Sequence, residues 1–180
     1  MSLTFEGDGT ISGFDAGLSG FGGLVAVKHV LKTDTWSASI AAAGSAAITD
    51  LEITHAAASA TNKLILIAYV GMISSGTPAQ GIALHDGTNL IGIGDAAGSR
   101  PRVAAGGITA QSYPIEHSKN LAIHIVYTPG DTSSRTFSVH AINNYTSNPD
   151  TLYVNRSEDD RNLLNFGRGS SSLMLMEVKG

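Results

Sequence analysis

Strand-length apolar runs separated by turn residues dominate the chain from residue 24 onward. "LVAVKHVLKT" alternates, placing Val25, Val27, His29 and Leu31 on one face of an extended segment. "WSASI" follows, then "AITDLEITH", where Ile48, Leu51 and Ile53 share a face only if the strand is bulged. "KLILIAYVGMI" is apolar at both parities, the pattern of a central strand covered on both sides. "GIALHDGTNLIGIG" sets two apolar runs about Asp86-Gly87, a hairpin signature. "LAIHIVYT", "RTFSVHAI", "TLYVNRS" and "SLMLMEV" bring the set to roughly nine or ten strands. No stretch carries a helical period with caps at both ends, and glycine and serine break the alanine-rich pieces "IAAAGSAA" and "HAAASAT". The expected fold is all-β. So many short strands, without a repeat of fixed period, fit a jelly-roll-like antiparallel β-sandwich better than an immunoglobulin domain or a propeller.

The first 22 residues have a different texture. "MSLTFEGDGTISGFDAGLSGFG" is interrupted by glycine throughout, yet carries Leu3, Phe5, Ile11, Phe14, Leu18 and Phe21. It cannot build a core of its own and is too apolar for a solvated tail, so it reads as an extended glycine-rich N-terminal arm that orders by packing on something else. The expected division is an arm over 1–22, serving as an anchor, and a sandwich domain over 23–180.

Composition narrows the function classes. Charged residues make up only 14% of the chain and glycine 21 of its 180 residues, against averages of about 25% and about 7%. A surface so poor in charge fits a protein partly covered by copies of itself, or a compact β-protein rich in tight turns. The net charge of −4 argues against nucleic-acid backbones and anionic lipid as partners. No apolar run is long enough for a membrane helix, and the start of the chain lacks the pattern of a signal peptide. With no cysteine there is neither a disulfide framework nor a thiolate metal site.

Motifs for catalysis fail on context. "GIGDAAG" follows a hairpin strand and precedes no helix, so it reads as a turn rather than a phosphate cradle. His29, His55, His85, His117, His124 and His140 form no metal-ligand spacing. "GRGSSS" is not a nucleophile elbow, and "IEHSKN" places Glu116, His117 and Ser118 side by side, where they rarely face one another. No catalytic residue, cofactor or metal is expected, and the chain reads as a non-enzyme.

Charge gathers instead in the closing stretch "NRSEDDRNLLNFGRGSSSLMLMEV". Acidic loops hold calcium, but the EF-hand spacing is missing and arginines compete for the carboxylates. Arg156, Asp159, Asp160, Arg161, Arg168 and Glu177 fit arginine–carboxylate pairs that set register where surfaces meet; the rival reading is a solvated loop. Glu177 falls among Met174, Met176 and Val178 in a strand and needs a partner, expected to be Arg156 or Arg168. Trp36, Tyr113, Tyr145 and Tyr153 are the aromatics available to stack on a sugar.

Several blocks resemble bacteriophage fibre and virion proteins. "LKTDTWSASIAAAGSAAITDLEITHAAASATNKLILIAYVG" is similar to their succession of "KTDTFS", "TDLSVTITP" and "SSKILVMV", and "GRGSSSLMLMEV" resembles their closing "GRGASTITVMEI". "LTFEGDGTISG", "GIGDAAGSRPRVAAGG" and "YVNRS" with acids after it match further blocks. The resemblance implies a β-sandwich virion structural protein, homotrimeric and on the virion exterior, as a fibre knob or a capsid or tail decoration protein. Its implied partners are copies of itself and, through the arm, other virion proteins. The alternative is a host receptor- or carbohydrate-binding module at a fibre tip; a sugar-cleaving enzyme is a third, weaker reading. The family's "ITP" is "ITHAAA" here, with His55, so that turn is expected to differ.

Overall fold

The computed structural model describes residues 23–77, 79–108, 118–162 and 167–180, with the backbone of two short strands, β1 (Thr4–Phe5) and β2 (Ile11–Ser12), which pair antiparallel. The rest of the expected arm over 1–22 lies outside the described residues. The remaining strands are β3 (Leu24–Lys32), β4 (Trp36–Ile40), β5 (Ser45–Ala56), β6 (Lys63–Ser75), β7 (Ala79–His85), β8 (Leu90–Ile91), β9 (Ala105–Ile108), β10 (Ser118–Tyr127), β11 (Ser134–Asn143), β12 (Asp150–Val154) and β13 (Ser171–Val178). They form a six-stranded and a five-stranded antiparallel sheet, and no helix occurs among the described residues. The fold is the expected jelly-roll-like β-sandwich.

β6 organises the larger sheet. One edge pairs with β10 along most of its length, and the other is shared. β13 occupies residues 63–70 of that edge and carries β3 beyond it; β12 occupies 73–75 and carries β4 beyond it. Gly71 lies at the handover. Its N–H donates to the Ser170 carbonyl (3.1 Å), and a Cβ at this position would collide with that oxygen. Here β6 also changes parity: Val70 and Ile73 are both buried, and the register with β10 shifts between Lys119 and Leu121.

Asn155 closes the gap between β12 and β13. Buried and in the left-handed region (φ 61°), it donates through Nδ2 to the carbonyls of Lys32 (3.0 Å) and Asp34 (2.9 Å). Its Oδ1 accepts from the Ser171 hydroxyl (2.7 Å), and its main chain bonds Met72 and Gly169. The bend between β3 and β4 thus has its carbonyls satisfied in the interior.

In the smaller sheet the order is β5–β11–β7, with β8 and β9 on the far edge of β7. The expected bulge in β5 is present. Glu52 pairs with Ser138 and Ala47 with His140, so residues 48–51 bow out opposite Val139, with Asp50 at φ 62°. That offset brings Ile48, Leu51 and Ile53 to the same, inward face. The Asp86-Gly87 hairpin also forms: the Asp86 carboxylate caps the N–H groups of Thr88 (2.9 Å) and Asn89 (2.8 Å), and Gly87 takes φ 93°.

The core lies between the sheets. Leu64, Leu66, Ala68 and Val70 of β6, with Leu173 and Leu175 of β13, meet Leu51, Ile53, Ile82, Leu84, Phe137 and Val139. One expectation needs correction. The two-faced apolar pattern of "KLILIAYVGMI" does not mean cover on both sides within one chain: up to Val70 the even positions enter the core, whereas Ile67 and Tyr69 face outward and are exposed.

Gly71→Ala is expected to lower unfolding free energy by about 3 kcal/mol, because the backbone of Ser170 must move. Gly107→Ala, which adds its methyl group to open space, is expected to change it by less than about 0.5 kcal/mol. Urea denaturation of the two variants checks both.

Candidate functional site

The charged closing stretch divides into two unconnected sites. Following β12, Asp160 accepts from Arg156 Nη1 (3.2 Å) and Arg168 Nη2 (2.8 Å), and Asp159 pairs with Arg161. The Arg156 guanidinium also lies 4.4 Å over the Tyr153 ring, a cation–π contact. Burial, with the negative charges of Asp150 and Asp159, pushes the nearby Glu158 carboxyl above its ordinary range. Five of the six residues expected to act together are therefore neighbours in space.

Glu177 is the exception, and its expected partner is corrected. Its strand parity with Leu173 and Leu175 carries it into the interior, away from every arginine of the cluster. There Oε1 accepts from Asn62 Nδ2 (2.6 Å) and the Ala58 N–H (2.7 Å), and Oε2 lies 2.7 Å from His55 Nε2. An ionised carboxylate only accepts, so His55 carries a proton on Nε2. Burial works to raise the Glu177 pKa, but the hydrogen bonds from Asn62, His55 and Ala58 outweigh it and hold the carboxyl below its ordinary range. His55 is the residue at which "ITHAAA" departs from "ITP", and the departure supplies this partner.

A second network, running from buried Asp86 out to exposed Asp131, was not foreseen. Asp86 accepts from the Tyr127 hydroxyl (3.1 Å), Tyr127 accepts from Arg135, and Arg135 pairs with Asp131 (2.7 Å). Burial opposes ionisation of Asp86, but the N–H groups of Asn89 and Thr88, with Tyr127 and Arg135, prevail and lower its pKa. The hairpin sequence signalled the turn at Asp86; its partners come from strands remote in sequence.

The aromatics do not form a platform. Trp36 packs against the core, and Tyr153 lies at the opposite parity of adjacent paired strands, already covered by Arg156. Tyr145 is exposed in the loop after β11, and Tyr113 lies outside the described residues. His85 and His140 stack in parallel (centroids 4.6 Å apart), where burial and the neighbouring His85 push His140 down to about 4. Among the described residues no group of three or more histidine, aspartate or glutamate side chains is placed to hold a metal ion.

The outer faces of the two sheets differ sharply. That of the five-stranded sheet is polar, with Glu52, Ser138 and His85, His140, and Thr54 bonded to Thr136 (2.8 Å). That of the six-stranded sheet is apolar. Register places Val27, Met176, Ile65 and Val126 in one row, His29, Met174, Ile67 and His124 in the next, and Leu31, Ser172, Tyr69 and Ala122 in a third. Val27 is 53% exposed, Leu31 58%, Ile67 37%, Tyr69 42% and Val126 61%. No carboxylate lies on these rows, and Lys63 occupies one corner with its ammonium on the Thr128 hydroxyl (2.8 Å). Tyr153 and Arg156 continue the same outer side beyond Gly71.

No protein-family model and no curated protein matches the chain. Among solved structures it is similar to a chain in the structure of infectious bursal disease virus Gx strain, with 11% identity and a TM-score of 0.35, over 86% of this chain and 42% of that one. This chain thus spans less than half the length of that neighbour, and so distant a likeness carries no argument about function. The resemblance to phage fibre proteins rests on the sequence blocks alone.

Removing the Glu177 carboxylate strands the donors of Asn62 and Ala58 in the interior, so Glu177→Ala is expected to cost about 3 kcal/mol. Because the folded pKa of Glu177 is depressed, its contribution is complete above the unfolded carboxylate value of about 4.3 and is lost as pH falls through the lower folded value. Denaturant midpoints measured from pH 5 to 3 should therefore fall more steeply for the native chain than for Glu177→Gln.

Proposed function

We propose that this chain is a structural subunit of a bacteriophage virion, a fibre knob or decoration unit on the particle exterior, and that it assembles as a homotrimer through the outer face of the six-stranded sheet. The observation that carries the reading is the apolar composition of that face. Four strands at about 4.8 Å spacing and three rows of side chains give it a footprint of about 400 Å². That is within the range of the largest apolar patches on monomers, which are commonly functional. A standard interface buries about 800 Å² per partner, so the face supplies roughly half and its surroundings the remainder.

The occupant best matched to a face without carboxylates is an equally uncharged surface, and copies of the chain that turn this face toward a threefold axis, each meeting both others, offer one. The ionic cluster of Arg156, Asp159, Asp160, Arg161 and Arg168 borders the apolar rows on the same side of the sheet. A neighbour seated on the rows reaches it, which suits the cluster to setting register, whereas Glu177 serves the subunit interior. The arm over 1–22 enters the domain at Gly23, directly before β3 at the margin of this face, and its apolar residues suit it to a neighbouring copy or another virion protein.

Light scattering at micromolar concentration is expected to give the mass of a trimer, with a melting temperature that rises with protein concentration. Ile67→Glu, whose side chain points away from the core, is expected to yield folded monomers. A native chain that remains monomeric would overturn the reading. Antibody labelling of intact particles tests the exterior location.

A further inference from the structure

The middle row of the apolar face ends in a histidine on each side. His29 stands on β3 and His124 on β10, with Met174 and Ile67 between them, and both are exposed. Three strand spacings separate their positions, about 14 Å. The side chains facing His29 are Val27 and Leu31 on its own strand and Met174, Ser172 and Met176 on β13. Those facing His124 are Ala122 and Val126 on β10 and Ile67, Ile65 and Tyr69 on β6. The titratable or charged groups among these rows are the Tyr69 phenol and Lys63 at the corner; no acid is within the register to balance an imidazolium. In contrast, His55 has a carboxylate partner in Glu177.

Histidine is the side chain that changes charge between pH 5 and 8. On a free face, water solvates an added proton at little cost. Beneath a second apolar face, an unbalanced imidazolium loses that solvation, so protonation and burial oppose one another.

We infer that His29 and His124 make assembly through this face pH-sensitive, holding the subunits together when neutral and releasing them when protonated. The inference rests on the assembly reading above and adds its regulation. An imidazole that cannot protonate beneath the neighbouring face opposes association as pH falls, so association is expected to weaken by at least about tenfold between pH 7.5 and 5.5.

The test measures the subunit dissociation constant by analytical ultracentrifugation at pH 7.5 and 5.5, with circular dichroism to follow the fold. The native chain is expected to weaken at least about tenfold, and His29→Gln/His124→Gln by less than about threefold. Should the glutamine pair disturb assembly at pH 7.5, His29→Leu/His124→Leu serves instead and is expected to stay associated at both values. Equal association of the native chain at the two pH values would overturn the proposal while leaving the assembly reading intact. Equal weakening in the double variant, which keeps the other four histidines, would overturn the assignment to these residues. A native monomer at pH 7.5 would overturn both readings. His140, held down to about 4, stays neutral across this range and does not contribute.

Discussion

β6 must pair with two different strands along one edge, and the rest of the sandwich follows from how that is achieved. A single uninterrupted partner would leave no place for both β13 and β12. The handover is possible because Gly71 has no Cβ to obstruct the Ser170 carbonyl, and because Asn155 supplies hydrogen bonds that neither partner strand can make at the gap. The parity change at the same point keeps Val70 and Ile73 both inward, so the core continues across the interruption. A buried gap without these bonds would leave main-chain groups unsatisfied.

Two polar networks then join this sheet to the other at separate places. Glu177 on β13 reaches His55 on β5, and Tyr127 on β10 reaches Asp86 after β7 and Arg135 on β11. Each places a carboxylate among donors that keep it ionised despite burial. These directional contacts fix how the sheets sit on one another, while the apolar core between them supplies the larger, non-directional share of the stability. Charge is scarce in this chain, and Glu177, Asp86 and Arg135 are committed to these links.

The outer faces of the two sheets contrast. The five-stranded sheet presents hydroxyls, imidazoles and Glu52 to water, whereas the six-stranded sheet presents valine, leucine, isoleucine and methionine with two histidines. Both faces are built by the same alternation, and only the one bordering the ionic cluster is apolar. Among the described residues, face chemistry is the feature on which the functional reading rests. It is a reading of a surface seeking cover.

Much of this was legible before the fold was known. Alternation predicted the strands and the shared face of Val27, His29 and Leu31, though the register breaks at Val25; Ile48, Leu51 and Ile53 pointed to a bulge; Asp86-Gly87 marked the hairpin; and the crowding of arginine and acid after residue 155 marked the cluster. These are local properties, because a period-two pattern or a turn residue acts through its immediate neighbours. The sequence could not reveal that Glu177 would meet His55, 122 residues away, instead of the nearer arginines, nor that Trp36 and Tyr153 would lie on opposite sides of one sheet. It also could not say which apolar parity of β6 would enter the core, since both parities are oily. Those outcomes depend on strand order and register across the chain, and only the packed tertiary structure decides them.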